Sequence, residues 1–286
     1  MKGLRSSLFA VLGAVVVLAI IAGGVVLWST YNKAPLPIDD RCVAIAGGNT
    51  ATIDPAQAHY ASIIAGMTIK RDLAPRAASI ALATAYQESG IRNLDYGHAD
   101  SIGLFQQRPS KGWGTIEEIM DPWYSAREFY RAMERIDDWE NKDINDVAQA
   151  VQRSAYPDAY RRHETNARTL ASSLTGETPA SFRCQVAAPN TADPDGMGRL
   201  LTKTLGADNV SIKAVGGELT VTAANATHAW AVANIAVANT AEFGLAAVQL
   251  GEYSWTHSSR TLAEWVGTGP KSDTEVKLQF AVPTPR

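Results

Sequence analysis

Residues 75–90 read PRAASIALATAYQESG, and this stretch sets the character of the first half of the chain. Its apolar residues recur at helical spacing, with Ala77, Ala81 and Ala85 on one stripe and Ile80 and Thr84 beside it. Pro75 suits a first turn, where a missing N–H costs nothing, and Gly90 suits a stop, so the pattern predicts a helix over 75–89. Its last turn carries Glu88. Counting back by fours from Glu88 passes Thr84 and Ile80, which puts the carboxyl at or beside the buried face of a nearly uncharged helix. The negative end of the helix dipole disfavours a carboxylate there, and partial burial acts in the same direction. Both effects favour a protonated carboxyl near neutral pH, the state a general acid requires. The plainer alternative is a glutamate at the rim of a helix end, satisfied by a neighbouring donor.

Working outward, helical periodicity recurs at 56–71, 122–134, 146–155 and 158–174, with Pro157 dividing the last two. Residues 91–114 (IRNLDYGHADSIGLFQQRPSKGWG) are rich in Gly, Asp, Asn and Ser and read as turns or a small hairpin. Beyond 186–196 (VAAPNTADPDG), which has the composition of an interdomain linker, the pattern changes. Alternation at 209–213, 218–223, 246–253 and 275–282 predicts strands, and 195–205 and 226–241 predict helices. The expectation is therefore a mainly α domain over 42–185 and a small α+β accessory domain over 197–286.

Ahead of both lies an apolar run. Leu8 to Trp28 is 21 residues without a charge, about 31 Å as a helix and long enough to cross a hydrocarbon core. A cleaved signal peptide competes with an uncleaved anchor. The run exceeds an ordinary h-region, and Trp28, Tyr31 and Lys33 stand where a small-x-small cleavage site belongs, so the anchor is preferred. Lys2 and Arg5 then place residues 1–7 in the cytoplasm, 8–28 in the membrane, 29–41 as a tether and the rest outside the cell.

Across its 286 residues the chain is 46% hydrophobic and 19% charged with a net charge of −3, which excludes a disordered or collagen-like protein. The weak negative charge also argues against nucleic acid as a partner. The histidines show no metal-ligand spacing, and no Walker loop, G-x-S-x-G elbow or dinucleotide fingerprint is found, so neither metal nor cofactor is expected. Cys42 and Cys184 are the only cysteines. In an oxidising exterior they most simply form one disulfide, the alternatives being free thiols or an intermolecular pair.

Three further motifs follow Glu88-Ser89: Ser101-Ile102-Gly103-Leu104-Phe105-Gln106, DPWYSAREFY at 121–130, and Ala155-Tyr156 after a helix. In this order they resemble the lytic transglycosylases, which share the goose-type lysozyme fold, and are closest to a branch typical of actinobacterial cell-envelope proteins. The resemblance spans roughly residues 55–175. It implies a lysozyme-like fold for the first domain and cleavage of the β-1,4 bond between N-acetylmuramic acid and N-acetylglucosamine in peptidoglycan glycan strands. It implies Glu88 as the single catalytic acid, Ser101 and Gln106 as cleft-lining groups, and Tyr156 as the tyrosine that approaches the glutamate. One departure is Pro157, where the family usually carries asparagine. A hydrolytic lysozyme would need a second carboxylate. Asp100 and Asp95 lie in the following loop, and Asp100 is the candidate, against the plainer reading of an Asp that caps a turn. Trp113, in a Gly-flanked loop, is the best candidate for a cleft wall. A non-catalytic peptidoglycan-binding module and a component of an envelope or secretion complex remain as rival readings.

Overall fold

A computed structural model describes residues 40–281 apart from Ala155 and Pro157. The run at 8–28, the cytoplasmic stretch before it and the tether up to residue 39 lie outside the described residues. Among the described residues no helix is long and apolar enough to cross a membrane.

The chain opens on a hairpin. Strands β1 (Arg41–Ala46) and β2 (Asn49–Ile53) are joined by Gly47 and Gly48 at φ 57° and 75°, the two left-handed positions that a tight hairpin turn demands. Helix α1 (Pro55–Lys70) follows, started by a reciprocal cap between Asp54 and Gln57. Helix α2 (Pro75–Ser89) has the bounds that the sequence predicts, with Pro75 in its first turn and Gly90 left-handed at its end. Then come α3 (Ile116–Met120), α4 (Pro122–Met133), α5 (Ile144–Gln152) and α6 (Glu164–Leu174). Strand β3 (Phe182–Gln185) returns to pair with β1, giving a three-stranded antiparallel sheet in the order β2-β1-β3.

The remainder supplies α7 (Pro194–Leu205), β4 (Val210–Val215), β5 (Glu218–Ala223), α8 (Ala226–Ala238), α9 (Thr240–Phe243), β6 (Leu245–Leu250), β7 (Tyr253–Thr256), β8 (Trp265–Val266) and β9 (Glu275–Phe280). These strands form a six-stranded antiparallel sheet ordered β4-β5-β9-β6-β7-β8. A second pair of left-handed glycines, Gly216 and Gly217, turns β4 into β5.

The expected fold class needs correction. A mainly α lysozyme-like domain followed by a separate α+β domain does not describe residues 40–281. Among the described residues nine α-helices and two antiparallel sheets, 43% helix and 20% strand, are distributed through both halves, and the described residues from Asp40 onward form one compact unit. The physical reason is helix α8. Its residues Ala229–Ala238 are buried on every side, and a helix apolar all round must be covered all round. One side packs on β5, β6 and β9, the other on α1, α6 and β3. The core is therefore continuous across the 186–196 segment. Polar contacts cross the same seam: the Asn234 amide donates to the Ser173 carbonyl at 2.8 Å, and the Trp123 indole N–H donates to the Thr204 hydroxyl at 2.9 Å. Each bond satisfies a polar group that would be costly to bury alone.

The sequence pattern ran β6 and β7 together as one strand over 246–253, and it missed β1, β2, β3 and β8, which lack clear alternation. Their pairing comes from tertiary contacts. In β1 and β3 the register sets Cys42 opposite Cys184, and the two form a disulfide.

Candidate active site

Glu88 occupies the last turn of α2, a helix with no basic side chain in that turn to offset the dipole. The chain reverses immediately afterwards. Gly90 at φ 66° and Ile91 at φ 56° are both left-handed, the Ile91 N–H donates back to the Ala85 carbonyl at 3.0 Å, and the Ile91 side chain is fully buried. This is a hydrophobically anchored helix stop. It costs a left-handed β-branched residue, and it fixes the direction in which the loop leaves Glu88.

The Glu88 carboxylate is half-buried and accepts a hydrogen bond of 2.7 Å from the hydroxyl of Tyr160. Burial pushes the Glu88 carboxyl above its ordinary value of 4.5, and the Tyr160 hydrogen bond partly opposes that rise. Burial also pushes the Tyr160 hydroxyl up, as does the neighbouring carboxyl, so it stays a donor. The Ser154 side chain opposes part of that rise.

Tyr160 was not among the residues expected here. The chain carries Ala-Tyr twice, at 155–156 and 159–160. The first tyrosine, Tyr156, is 75% exposed, and its backbone N–H donates to the Ser154 hydroxyl. The second is fully buried against the acid. The signal that distinguishes them is register: Tyr160 directly precedes the 3-10 turn Arg161–His163 that leads into α6, and α6 packs along α2.

Ser101 and Gln106 are brought together in a tight loop. Ile102 and Gln107 form an antiparallel bridge around the turn. The turn is tied to the end of α2 by the Ser89 hydroxyl, which donates to the Leu104 carbonyl at 2.7 Å. The Gln107 amide, buried, donates to the Ser125 carbonyl on α4 at 3.0 Å. Ser101 is buried. Gln106 is left-handed at φ 47°, and its amide donates to the carbonyls of Tyr96 and Gly103 at 3.3 and 3.4 Å. Gly97 lies against both: a Cβ there would stand 2.5 Å from the Ser101 carbonyl and run into the Gln106 amide oxygen.

Asp100 serves this loop too. Its carboxylate accepts from the Ser110 N–H at 2.8 Å and from Arg108 Nε at 2.6 Å. Bonds from Ser110, through side chain and backbone, and from Arg108 hold its carboxyl far below the usual range. Trp113 lines, with Gln106, a groove of about 790 Å³ that runs between the loop and helices α4 and α5, and Glu88 is not among the residues that line it. The two ends of the constellation are joined by Gln152, whose amide donates to the Phe105 carbonyl at 2.9 Å.

Among the described residues no group of three or more His, Cys, Asp or Glu side chains could hold a metal ion. No protein-family model matches this chain, and a search of curated proteins finds no match.

Proposed function

We propose that this chain cleaves the β-1,4 glycan of peptidoglycan between N-acetylmuramic acid and N-acetylglucosamine, as a lytic transglycosylase with Glu88 as its only acid-base group. The observation that carries this reading is the Glu88–Tyr160 pair, a half-buried carboxyl with a raised pKa held by one neutral donor at 2.7 Å. Such a carboxyl holds its proton to a higher pH than a free one and is not immobilised by a cation, as protonation of a leaving-group oxygen requires.

In the reaction implied by the sequence motifs, the Glu88 proton passes to the glycosidic oxygen as the C1–O4 bond breaks. The resulting carboxylate takes the proton of the muramoyl O6 hydroxyl as the new C1–O6 bond forms, giving a 1,6-anhydro end without water. Tyr160 stabilises the carboxylate stage by donating to it. Ser101 and Gln106, fixed in one loop, are assigned to the sugar-facing wall. The transglycosylase outcome is preferred to hydrolysis because Asp100, the candidate second carboxylate, is committed to Ser110 and Arg108 and is too weak a base to activate water. The disulfide supports a site outside the cytoplasm.

Mass spectrometry of the products tests both levels. Wild type should release anhydro-muramoyl ends one water lighter than hydrolytic products, and Glu88→Gln should release them at least about a hundredfold more slowly. Hydrolytic masses would overturn the transglycosylase assignment. Undiminished cleavage by Glu88→Gln would overturn the site itself.

A further inference from the structure

The groove beside the site has an electrostatic character that the chain as a whole does not. In a chain of net charge −3, Arg108, Lys111, Arg131, Arg135 and Arg153 line this one groove against a single carboxylate, Glu128. That carboxylate is already taken by Arg127 and Arg131 at 3.0 and 2.9 Å, and Arg108 is taken by Asp100. Lys111, Arg135 and Arg153 make no ion pair among the described residues and are solvent-exposed. Clustered like charges repel, so an arrangement of this kind is disfavoured unless a counter-charge arrives.

Backbone conformation is a second, independent observation. Gln106 and Arg153, one on each side of the groove, are both left-handed, at φ 47° and 55°. Arg153 ends α5, a position where glycine or asparagine would relieve the conformation. An arginine kept there at a cost on the order of 1 kcal/mol points its role away from stability and toward the groove. The groove also adjoins the loop beside the acid: Gln152, one of its lining residues, donates to the Phe105 carbonyl, and the Ser89 hydroxyl ties the neighbouring Leu104 carbonyl to the end of the helix that carries Glu88.

We propose that this groove binds the carboxylate-bearing peptide stems of the glycan strand whose backbone Glu88 cuts. Guanidinium groups match carboxylates in two-point geometry, the open groove accommodates a flexible chain, and Trp113 supplies an apolar wall for its aliphatic parts. The assignment rests on the glycan-cleaving reading, and it adds the part of the substrate that decides which strands are cut.

The test compares the full chain with a Lys111→Gln, Arg135→Gln, Arg153→Asn variant, the last change chosen because asparagine tolerates the left-handed backbone. Circular dichroism and the melting temperature verify that the variant is folded. On soluble glycans of equal length, with stems or stripped of them, wild type should prefer the stem-bearing strand by about tenfold in kcat/KM. The variant should lose that preference and keep its rate on stripped strands. Equal wild-type rates on both substrates, or a variant impaired equally on both, would overturn the proposal while leaving the glycan-cleaving reading intact. If no glycan is cleaved, that reading fails, and the groove is judged by binding alone. Trp113 fluorescence should then report salt-sensitive binding of a multiply carboxylated peptide that its amidated form and the variant do not reproduce. An oligophosphate of equal charge that binds more tightly than the peptide would overturn the assignment in favour of a phosphate polymer.

Discussion

The seam between the two halves and the edge that holds Glu88 are built by opposite means. At the seam, α8 is enclosed by α1, α6 and the six-stranded sheet, and close approach is achieved with small residues. Gly176, at φ 82°, is packed so tightly that a Cβ would lie 2.6 Å from the Ala231 nitrogen and run into the Thr227 carbonyl. At the site edge the backbone is held by hydrogen bonds and by left-handed residues that are not glycine: Ile91, Gln106 and Arg153. Density holds the first region, and directional bonds on a strained backbone hold the second. Stability and chemistry are thus placed in different parts of one body, and substitutions should separate them.

The largest effect belongs to Glu88→Gln. On the proposed function, loss of its general acid should lower turnover by about 10²–10⁴-fold, measured by release of soluble fragments, with no loss of stability. Stability should in fact rise at neutral pH. The folded-state pKa of Glu88 lies above its ordinary value of 4.5, so the wild-type protein loses stability as pH rises through that folded value, and the glutamine variant does not. Melting temperatures compared over a pH series should diverge upward from about pH 4.5 and coincide below it. A glutamine variant less stable at neutral pH would contradict the burial argument.

Gly176→Ala tests the other region. A left-handed backbone and a main-chain clash together should cost roughly 3–5 kcal/mol. Chemical denaturation reads the loss as a lower midpoint, with kcat little changed in the fraction that remains folded. Removing the disulfide with Cys42→Ala and Cys184→Ala should cost roughly 2–5 kcal/mol, because the bond closes a 142-residue separation. Denaturation with and without reductant gives the same comparison in the unaltered chain.

Tyr160→Phe should have the smallest effect and be the most discriminating. Its hydroxyl donates to the ionised form of Glu88, so removing it should raise the carboxyl's pKa further and move the alkaline limb of the pH–rate profile upward. Turnover should fall by about tenfold, the value of one such hydrogen bond. A fall in rate with an unmoved limb would reduce Tyr160 to a packing residue.

Much of this division was legible in the sequence, and its limits are instructive. The bounds of α2 followed from Pro75 and Gly90, since punctuation and periodicity act locally. The half-burial of Glu88 at its helix end followed from counting along one face. The choice between Tyr156 and Tyr160 did not, because two Ala-Tyr pairs four residues apart differ only in which meets α2 once α6 has docked. The single core was also misjudged. The segment at 186–196 does have turn composition, but composition is silent on whether the faces either side of it bury one another. The all-round apolarity of 229–238 was the better guide, because no single sheet covers such a helix. Asp100 illustrates the remaining gap: it is next to Ser101 in the chain, yet its partners are Ser110 and Arg108, set by a loop that folds back on itself.

The covalent link between β1 and β3 has a topological consequence. Glu88, the Ser101–Gln106 turn and Tyr160 all fall between Cys42 and Cys184, so the site is carried on a closed ring of chain. The exposed stretch from Asp95 to Ala99 is an accessible place for a protease to cut that ring. One such cut opens the ring without releasing either piece. The nicked molecule should migrate as one species until it is reduced and as two afterwards, so the chain can be severed beside the Glu88 carboxyl and still hold its halves in register.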